Sequence, residues 1–183
     1  MGKVSVTQAV TQLTQGGLIA YPTEAVFGIG CDPFNEQAVQ AILAIKQRPV
    51  EKGVILVAAN IEQVQDLVRL HNEPWTEQVL ASWPGPYTWV LPVKTQLPMW
   101  VTGGRDTLAI RVSAHPLVQA LCQAFAGPIV STSANPTSLE PARSCQEVYQ
   151  YFADEIPCLA GELGGLDKPT EIRDAQTGQC LRL

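Results

Sequence analysis

The amino-acid sequence predicts an α/β fold, in which a twisted sheet of mixed parallel and antiparallel strands is flanked by helices. Short apolar runs that are typical of buried strands alternate along the chain with segments of helical spacing. Hairpin-like pairs of short runs near both ends favour a mixed sheet over a purely parallel one. With 183 residues, 46% of them hydrophobic, the chain fits one compact domain over residues 1–183.

Six segments have the features of helices. Val6, Val10 and Leu13 recur at helical spacing, and Asn35 is a typical N-cap. A proline follows His115, and proline is favoured in the first turn of a helix. The predicted helices cover residues 4–15, 35–47, 61–70, 74–83, 116–125 and 144–152.

The predicted strands are short apolar runs between these helices. Glycines within residues 25–32 permit close backbone approach in one of them. The strands cover residues 17–22, 25–32, 53–59, 87–93, 108–112, 128–131, 156–160, 171–174 and 180–183.

The composition excludes several classes of protein. A net charge of −5 argues against a broad basic surface that wraps nucleic acid, although a small basic pocket remains compatible with it. No run approaches the roughly 18 apolar residues of a membrane span, and residues 1–17 lack a signal peptide's apolar core. We therefore expect a cytoplasmic protein without membrane contact. The five cysteines are widely spaced without a C-x-x-C pair, which predicts reduced thiols and no zinc site.

The first candidate motif is YPTEAVFGIG, residues 21–30. Pro22 interrupts a strand, so that Thr23 and Glu24 lie at a strand end, where sheet proteins commonly contact ligands. The alternative is a turn in which the threonine hydroxyl bonds its own backbone. The motif is not a dinucleotide fingerprint, because its third glycine is missing.

The second candidate is KQRPVEK, residues 46–52, at the predicted end of a helix. Lys46 and Arg48 lie about 200° apart on a regular helix, but both can face one anion if the helix unwinds at Gln47. An arginine fork and a lysine point charge suit phosphate oxygens. The alternative is that both cations cap the helix C-terminus.

Two further segments carry small polar residues. STSAN, residues 131–135, follows a buried strand and offers hydroxyls and an amide to a ligand, or forms a self-satisfied turn. If the segment stays extended, Thr132 and Ala134 face the packing side opposite to Ser131 and Ser133. The last segment, PTEIRDAQTGQCLRL, sets Thr170, Arg173 and Arg182 among short strands.

Several catalytic motifs are missing from the sequence. It has no G-x-x-x-x-G-K-[ST] loop, no G-x-S-x-G elbow and no histidine in a triad pattern. If the protein is an enzyme, we expect its chemistry to depend on positioning and electrostatics.

The ordered set YPTEAVFGIG, KQRP with KGVIL, STSAN and PTEIRD resembles the YrdC/TsaC family, the threonylcarbamoyl-AMP synthases, from about Leu18 to Arg182. The resemblance implies a YrdC-like fold with a concave basic face. It also implies a transferase (nucleotidyltransferase) that condenses L-threonine, bicarbonate or CO2, and ATP to threonylcarbamoyl-AMP and pyrophosphate. Mg2+ would arrive with ATP and not on a protein metal site. A partner transferase complex would then modify adenosine 37 of tRNA.

The resemblance also implies roles for individual residues. Lys46 and Arg48 are the expected catalytic residues, which also bind ATP phosphates. The other expected ATP-binding residues are Ser133, Asn135, Arg143 and Arg182. The expected threonine-binding residues are Thr23, Arg111, Ser131 and Thr170; family members usually have serine in place of Thr170. Two other functions stay open: a module that binds structured RNA such as tRNA through the same basic face, and a domain that binds a nucleotide without turning it over.

Overall fold

The structure, a computed structural model, describes residues 3–182, and within that range eight strands form one sheet. The order across the sheet is β1-β2-β6-β3-β5-β4-β7-β8. Neighbouring strands are parallel in β3–β5 and β4–β7 and antiparallel in the other pairs, so the predicted mixed sheet is confirmed. The strands are β1 (Ile19–Pro22), β2 (Phe27–Gly30), β3 (Ile55–Ala58), β4 (Tyr87–Pro92), β5 (Thr107–Val112), β6 (Ile129–Ser133), β7 (Glu171–Asp174) and β8 (Cys180–Arg182).

Helices flank the sheet, as predicted. The predicted N-cap of α2 is confirmed, because the Asn35 side chain accepts a hydrogen bond from the Ala38 N–H. Two short 3-10 turns, Val50–Lys52 and Ala153–Glu155, and the four-residue helix α4 were not predicted. Within residues 3–182, the α-helices are α1 (Val6–Thr14), α2 (Glu36–Ile45), α3 (Thr76–Ala81), α4 (Met99–Thr102), α5 (Pro116–Phe125) and α6 (Cys145–Phe152).

Side chains from both faces of the sheet are buried. Along β3, Val57 packs with α1 and α5, whereas Leu56 and Ala58 pack in the larger core that includes α2. This alternation follows from strand geometry, in which successive side chains point to opposite faces. The sheet therefore separates two apolar layers. Among residues 3–182, no helix combines the length and the apolar character that a bilayer crossing requires.

Two predicted elements are wrong. Residues 61–70 form turns instead of a helix, because Arg69 N–H donates to the Pro92 carbonyl and Lys94 N–H donates to that of Leu67. Those bonds occupy backbone groups that a helix would use, while Val64 and Val68 are still fully buried. Residues 156–160 form only two isolated bridges, to Val4 and Ala20, and not a regular strand.

The prediction of five reduced thiols is also wrong. Cys145 and Cys158 form a disulfide, with their Cα atoms 5.8 Å apart. Cys145 is the first residue of α6, and Cys158 forms an isolated bridge with Ala20 of β1. The spacing of cysteines along the chain does not reveal that Cys145 and Cys158 lie close together. The thiols of the other three cysteines are free. Disulfides are uncommon in the cytosol, so the cytoplasmic location stays a prediction.

Candidate active site

A pocket of about 340 Å³ opens beside the ends of several strands and the end of α2. This volume lies within the range of small-molecule sites. Its described lining includes the side chains of four cations and no aspartate or glutamate, which makes it suited to an anion. Eight predicted site residues line it, namely Thr23, Lys46, Arg48, Arg111, Ser131, Ser133, Thr170 and Arg182.

Two of the cations, Lys46 and Arg48, lie directly after the end of α2. The helix ends at Ile45, and Gln47 has a φ of 46°, in the left-handed region. This local unwinding breaks the 200° separation of a regular helix, and both Lys46 and Arg48 line the pocket. The sequence allowed both cations to face one anion only if the helix unwinds at Gln47, and the structure meets this condition.

Within the described part of the chain, Lys46 Nζ contacts uncharged oxygens only. Its Nζ lies 2.9 Å from the Ser133 carbonyl, 2.6 Å from the Asn135 carbonyl and 2.9 Å from Asn135 Oδ1. Burial lowers the pKa of Lys46 to about 8, and the charge of Arg48 adds to that effect. Because no carboxylate within residues 3–182 pairs with this ammonium group, an anionic ligand can exchange for one of its neutral acceptors.

Arg48, which lines the pocket, shares an acceptor with Arg105. Arg48 Nε donates to the Gly53 carbonyl at 3.1 Å, and its Nη2 donates to that of Lys52 at 3.3 Å. Arg105 Nη1 donates to the same Lys52 carbonyl at 3.1 Å. Burial lowers the pKa of Arg48, and the charge of Arg105 adds to this. An arriving anion would offset this mutual repulsion.

Arg111 occupies the deep side of the pocket and is only 6% exposed. Its Nη1 donates to Thr170 Oγ1 at 2.5 Å, and its Nη2 lies 3.4 Å from Glu24 Oε2. Ser113 Oγ in turn donates to Glu24 Oε1 at 2.6 Å. These contacts fix the guanidinium plane before any ligand arrives.

Glu24 and Ser113 were missed as site residues. Glu24 was placed at a strand end suited to ligand contact but was not assigned to the site, and its partner Ser113 lies 89 residues away, where sequence spacing gives no indication of contact. A glutamate two residues after the strand-ending Pro22 is the local pattern that could have drawn attention to it.

Thr23 has the turn geometry that the sequence left as an alternative. Its hydroxyl donates to the Val26 carbonyl at 2.7 Å. The residue also lines the pocket, so turn and site coexist.

The segment STSAN stays extended to Ser133, the last residue of β6. Ser131 and Ser133 line the pocket and Ala134 is fully buried, as the predicted alternation requires, but Thr132 lines the pocket as well. Asn135 does not line the pocket. Its Oδ1 accepts a hydrogen bond from Lys46 Nζ, and its Nδ2 donates to the Leu139 carbonyl at 2.6 Å.

Arg143 lies apart from the pocket lining. It is exposed, and its backbone N–H donates to Glu147 Oε2 at 2.6 Å, near the start of α6. Arg182 does line the pocket and donates from Nη2 to the Thr170 carbonyl at 3.3 Å. Of the two peripheral arginines, only Arg182 is therefore near the other candidate residues.

Fold and site together define an α/β protein whose mixed sheet carries a cation-lined pocket for a small ligand. The chain belongs to the Sua5/YciO/YrdC family: the model of that family, described as telomere recombination, matches residues 11–183.

Proteins of high identity cover nearly the whole chain. A threonylcarbamoyl-AMP synthase of Halorhodospira halophila is 54% identical over 178 residues, which are 97% of this chain and 93% of the relative. The Pseudomonas aeruginosa protein of the same name is 52% identical over 175 residues, which are 95% of this chain and 94% of the relative.

Solved structures share the fold. P. abyssi Sua5 complexed with L-threonine matches with a TM-score of 0.82 and 33% identity over 92% of this chain, which spans half of that longer protein. E. coli YciO matches with a TM-score of 0.83 and 26% identity over 97% of this chain and 87% of its own.

Proposed function

We propose that this protein is a threonylcarbamoyl-AMP synthase, a nucleotidyl-transferring enzyme that uses ATP, L-threonine and bicarbonate or CO2. One observation carries the proposal: a single pocket combines phosphate-binding cations with a buried, preoriented arginine. The name of the full-length relatives, at more than 50% identity, supports the same reading.

The phosphate end of the pocket is assigned to Lys46 and Arg48. Both side chains donate to neutral carbonyls in the free protein, so phosphate oxygens can replace these acceptors with charged ones. Ser133, next to Lys46 Nζ at 3.4 Å, and Arg182 complete the ATP assignment. Asn135 contributes indirectly by positioning the lysine. Arg143 remains an ATP-binding prediction with no contact to the pocket to support it.

The threonine end is assigned to the deep side of the pocket. Arg111 is oriented by Glu24 and Thr170, and its guanidinium suits the carboxylate of an amino acid. Thr23 and Ser131 line the same space. The extra methyl group of Thr170, compared with serine, leaves its hydroxyl bonded to Arg111.

The chemistry proceeds without a covalent enzyme intermediate. The amine of threonine attacks the carbon of CO2 and loses a proton, which gives an N-carboxylate; from bicarbonate, a water molecule leaves. A carboxylate oxygen then attacks the α-phosphorus of ATP, the bond to the bridging oxygen of the β-phosphate breaks, and pyrophosphate leaves. Lys46 and Arg48 offset the repulsion between the anionic nucleophile and the phosphates.

The protein residues do not fit a resident metal ion. Within residues 3–182, no group of three histidine, cysteine or acidic side chains has metal-binding geometry, and the described pocket lining has no carboxylate. A Mg2+ ion would therefore come with ATP as part of the substrate. Transfer to adenosine 37 of tRNA would require a partner transferase.

Pyrophosphate release tests the proposal. The purified chain is incubated with ATP, Mg2+ and bicarbonate, with and without L-threonine. Threonine-dependent pyrophosphate is expected. ATP binding without turnover would instead identify a nucleotide-binding domain, and tight, salt-sensitive tRNA binding without product would identify an RNA-binding module.

A further inference from the structure

Thr88 is a buried polar residue without a bonding partner. It lies on β4, where it is 1% exposed, and its Oγ1 has no hydrogen-bond partner among residues 3–182. The same side chain lines the pocket. Buried polar groups in native proteins are nearly always paired, so this hydroxyl needs an explanation.

Thr88 lies next to Arg111 across the sheet. The antiparallel register that pairs Trp89 with Ile110 puts Thr88 opposite Arg111, and neighbouring side chains of such a pair share one face. Arg111 Nε is also buried and without a partner. Two unpaired groups that can donate hydrogen bonds therefore lie side by side at the deep end of the pocket.

The packing of β4 gives no reason for a hydroxyl at this position. Valine has nearly the same shape, is favoured in strands and would leave no polar atom unpaired. Keeping a threonine therefore costs stability in the free protein, and a bound ligand can compensate for that cost.

We propose that Thr88 is a further threonine-binding residue, whose hydroxyl donates a hydrogen bond to the carboxylate of the amino-acid substrate. Arg111 Nε donates to the same carboxylate, so that one planar anion satisfies both unpaired groups. This inference rests on the proposed function and adds to it a residue that sets affinity and selectivity for the amino acid.

The test compares Thr88→Val and Thr88→Ser with the unmodified protein by steady-state pyrophosphate release and by thermal unfolding. Thr88→Val should raise the KM for L-threonine about 10- to 100-fold, the usual effect of losing a hydrogen bond to a charged group, with the KM for ATP within about twofold. Thr88→Ser should stay close to the unmodified protein. The unfolding temperature of Thr88→Val should not fall, because no bond is lost in the free protein.

Thr76→Val serves as the matched control. The Thr76 hydroxyl lies outside the pocket lining and accepts a hydrogen bond from the Glu73 N–H at 3.0 Å. This variant should lose stability and keep its KM for threonine, the opposite pattern to Thr88→Val.

A second readout is the discrimination between L-threonine and threoninamide, which lacks the carboxylate. If Thr88→Val does not fold, Thr88→Ala takes its place in this test. The unmodified protein should discriminate strongly between threonine and threoninamide, and the variant should discriminate about 10-fold less. An unchanged KM for threonine, an equal rise in the KM for ATP, or unchanged discrimination would overturn the inference. If the unmodified protein released no threonine-dependent pyrophosphate, the proposed function itself would fail.

Discussion

Replacing Lys46 tests the phosphate end of the pocket most sharply. Lys46→Ala removes a cation whose Nζ contacts the backbone carbonyls of Ser133 and Asn135 and the side chain of Asn135. These acceptors are only partly buried, so water can replace the lost donor. We therefore expect the variant to fold, with its defect concentrated in ATP use.

The expected magnitude follows from the contacts. A charge-assisted hydrogen bond to phosphate contributes about 1.5–3 kcal/mol, and its loss lowers the rate or affinity about 10- to 100-fold. Because an ammonium group has three N–H donors for phosphate oxygens, the upper end of this range is expected for threonine-dependent pyrophosphate release. The assay is steady-state kinetics with ATP varied at saturating threonine, alongside thermal unfolding.

Lys94→Ala is the matched control for charge. Lys94 pairs with Asp66 at 2.8 Å on an exposed surface, where the loss of a salt bridge has little effect. Pyrophosphate release by Lys46→Ala within threefold of the Lys94→Ala rate would refute the assignment of Lys46 to the phosphates. A collapsed unfolding temperature would instead show that the lysine is structural.

Three other predictions follow from the structure. Because the pKa of Lys46 is lowered to about 8, its positive charge is lost as pH rises through that value. The ATP affinity of the unmodified protein should therefore fall between pH 7 and 9.5 more steeply than that of Lys46→Met. Titration calorimetry measures the ATP affinity of the two proteins, and parallel curves would contradict the prediction. Alkylation of the unfolded chain without reductant should label three of the five cysteines, and reduction should lower the free energy of unfolding by about 3 kcal/mol; labelling of all five would exclude the disulfide. Gly30→Ala would put a Cβ 2.4 Å from the Val130 carbonyl and should destabilise the fold by about 1–3 kcal/mol, whereas Gly127→Ala meets no atom within 4 Å; equal denaturation midpoints would contradict this difference.

Local patterns predicted the elements that depend on local physics. Asn35 marked the start of α2 because an N-cap acts over three residues, and the apolar runs located β1 to β6 because buried strands favour β-branched and aromatic side chains. The helix predicted over residues 61–70 is wrong because the Arg69 N–H and the Leu67 carbonyl bond to Pro92 and Lys94, distant contacts that periodicity cannot represent.

The site shows the same division between local and distant contacts. Motifs identified Thr23, Lys46, Arg48 and Ser131, which all line the pocket. The contacts of Glu24 with Ser113 and of Lys46 with Asn135 join residues 89 apart, and they could not be predicted without the strand order. The same holds for Thr88, whose neighbour Arg111 becomes visible only through the register of β4 and β5.

The central claim is that this pocket joins a one-carbon unit from bicarbonate to threonine and transfers AMP onto it. The most direct measurement is mass spectrometry of the product formed from ATP, L-threonine and 13C-labelled bicarbonate. The account predicts threonylcarbamoyl-AMP that carries one heavy carbon, formed together with an equal amount of pyrophosphate. Pyrophosphate accompanied only by threonyl-AMP, or product without the label, would contradict it.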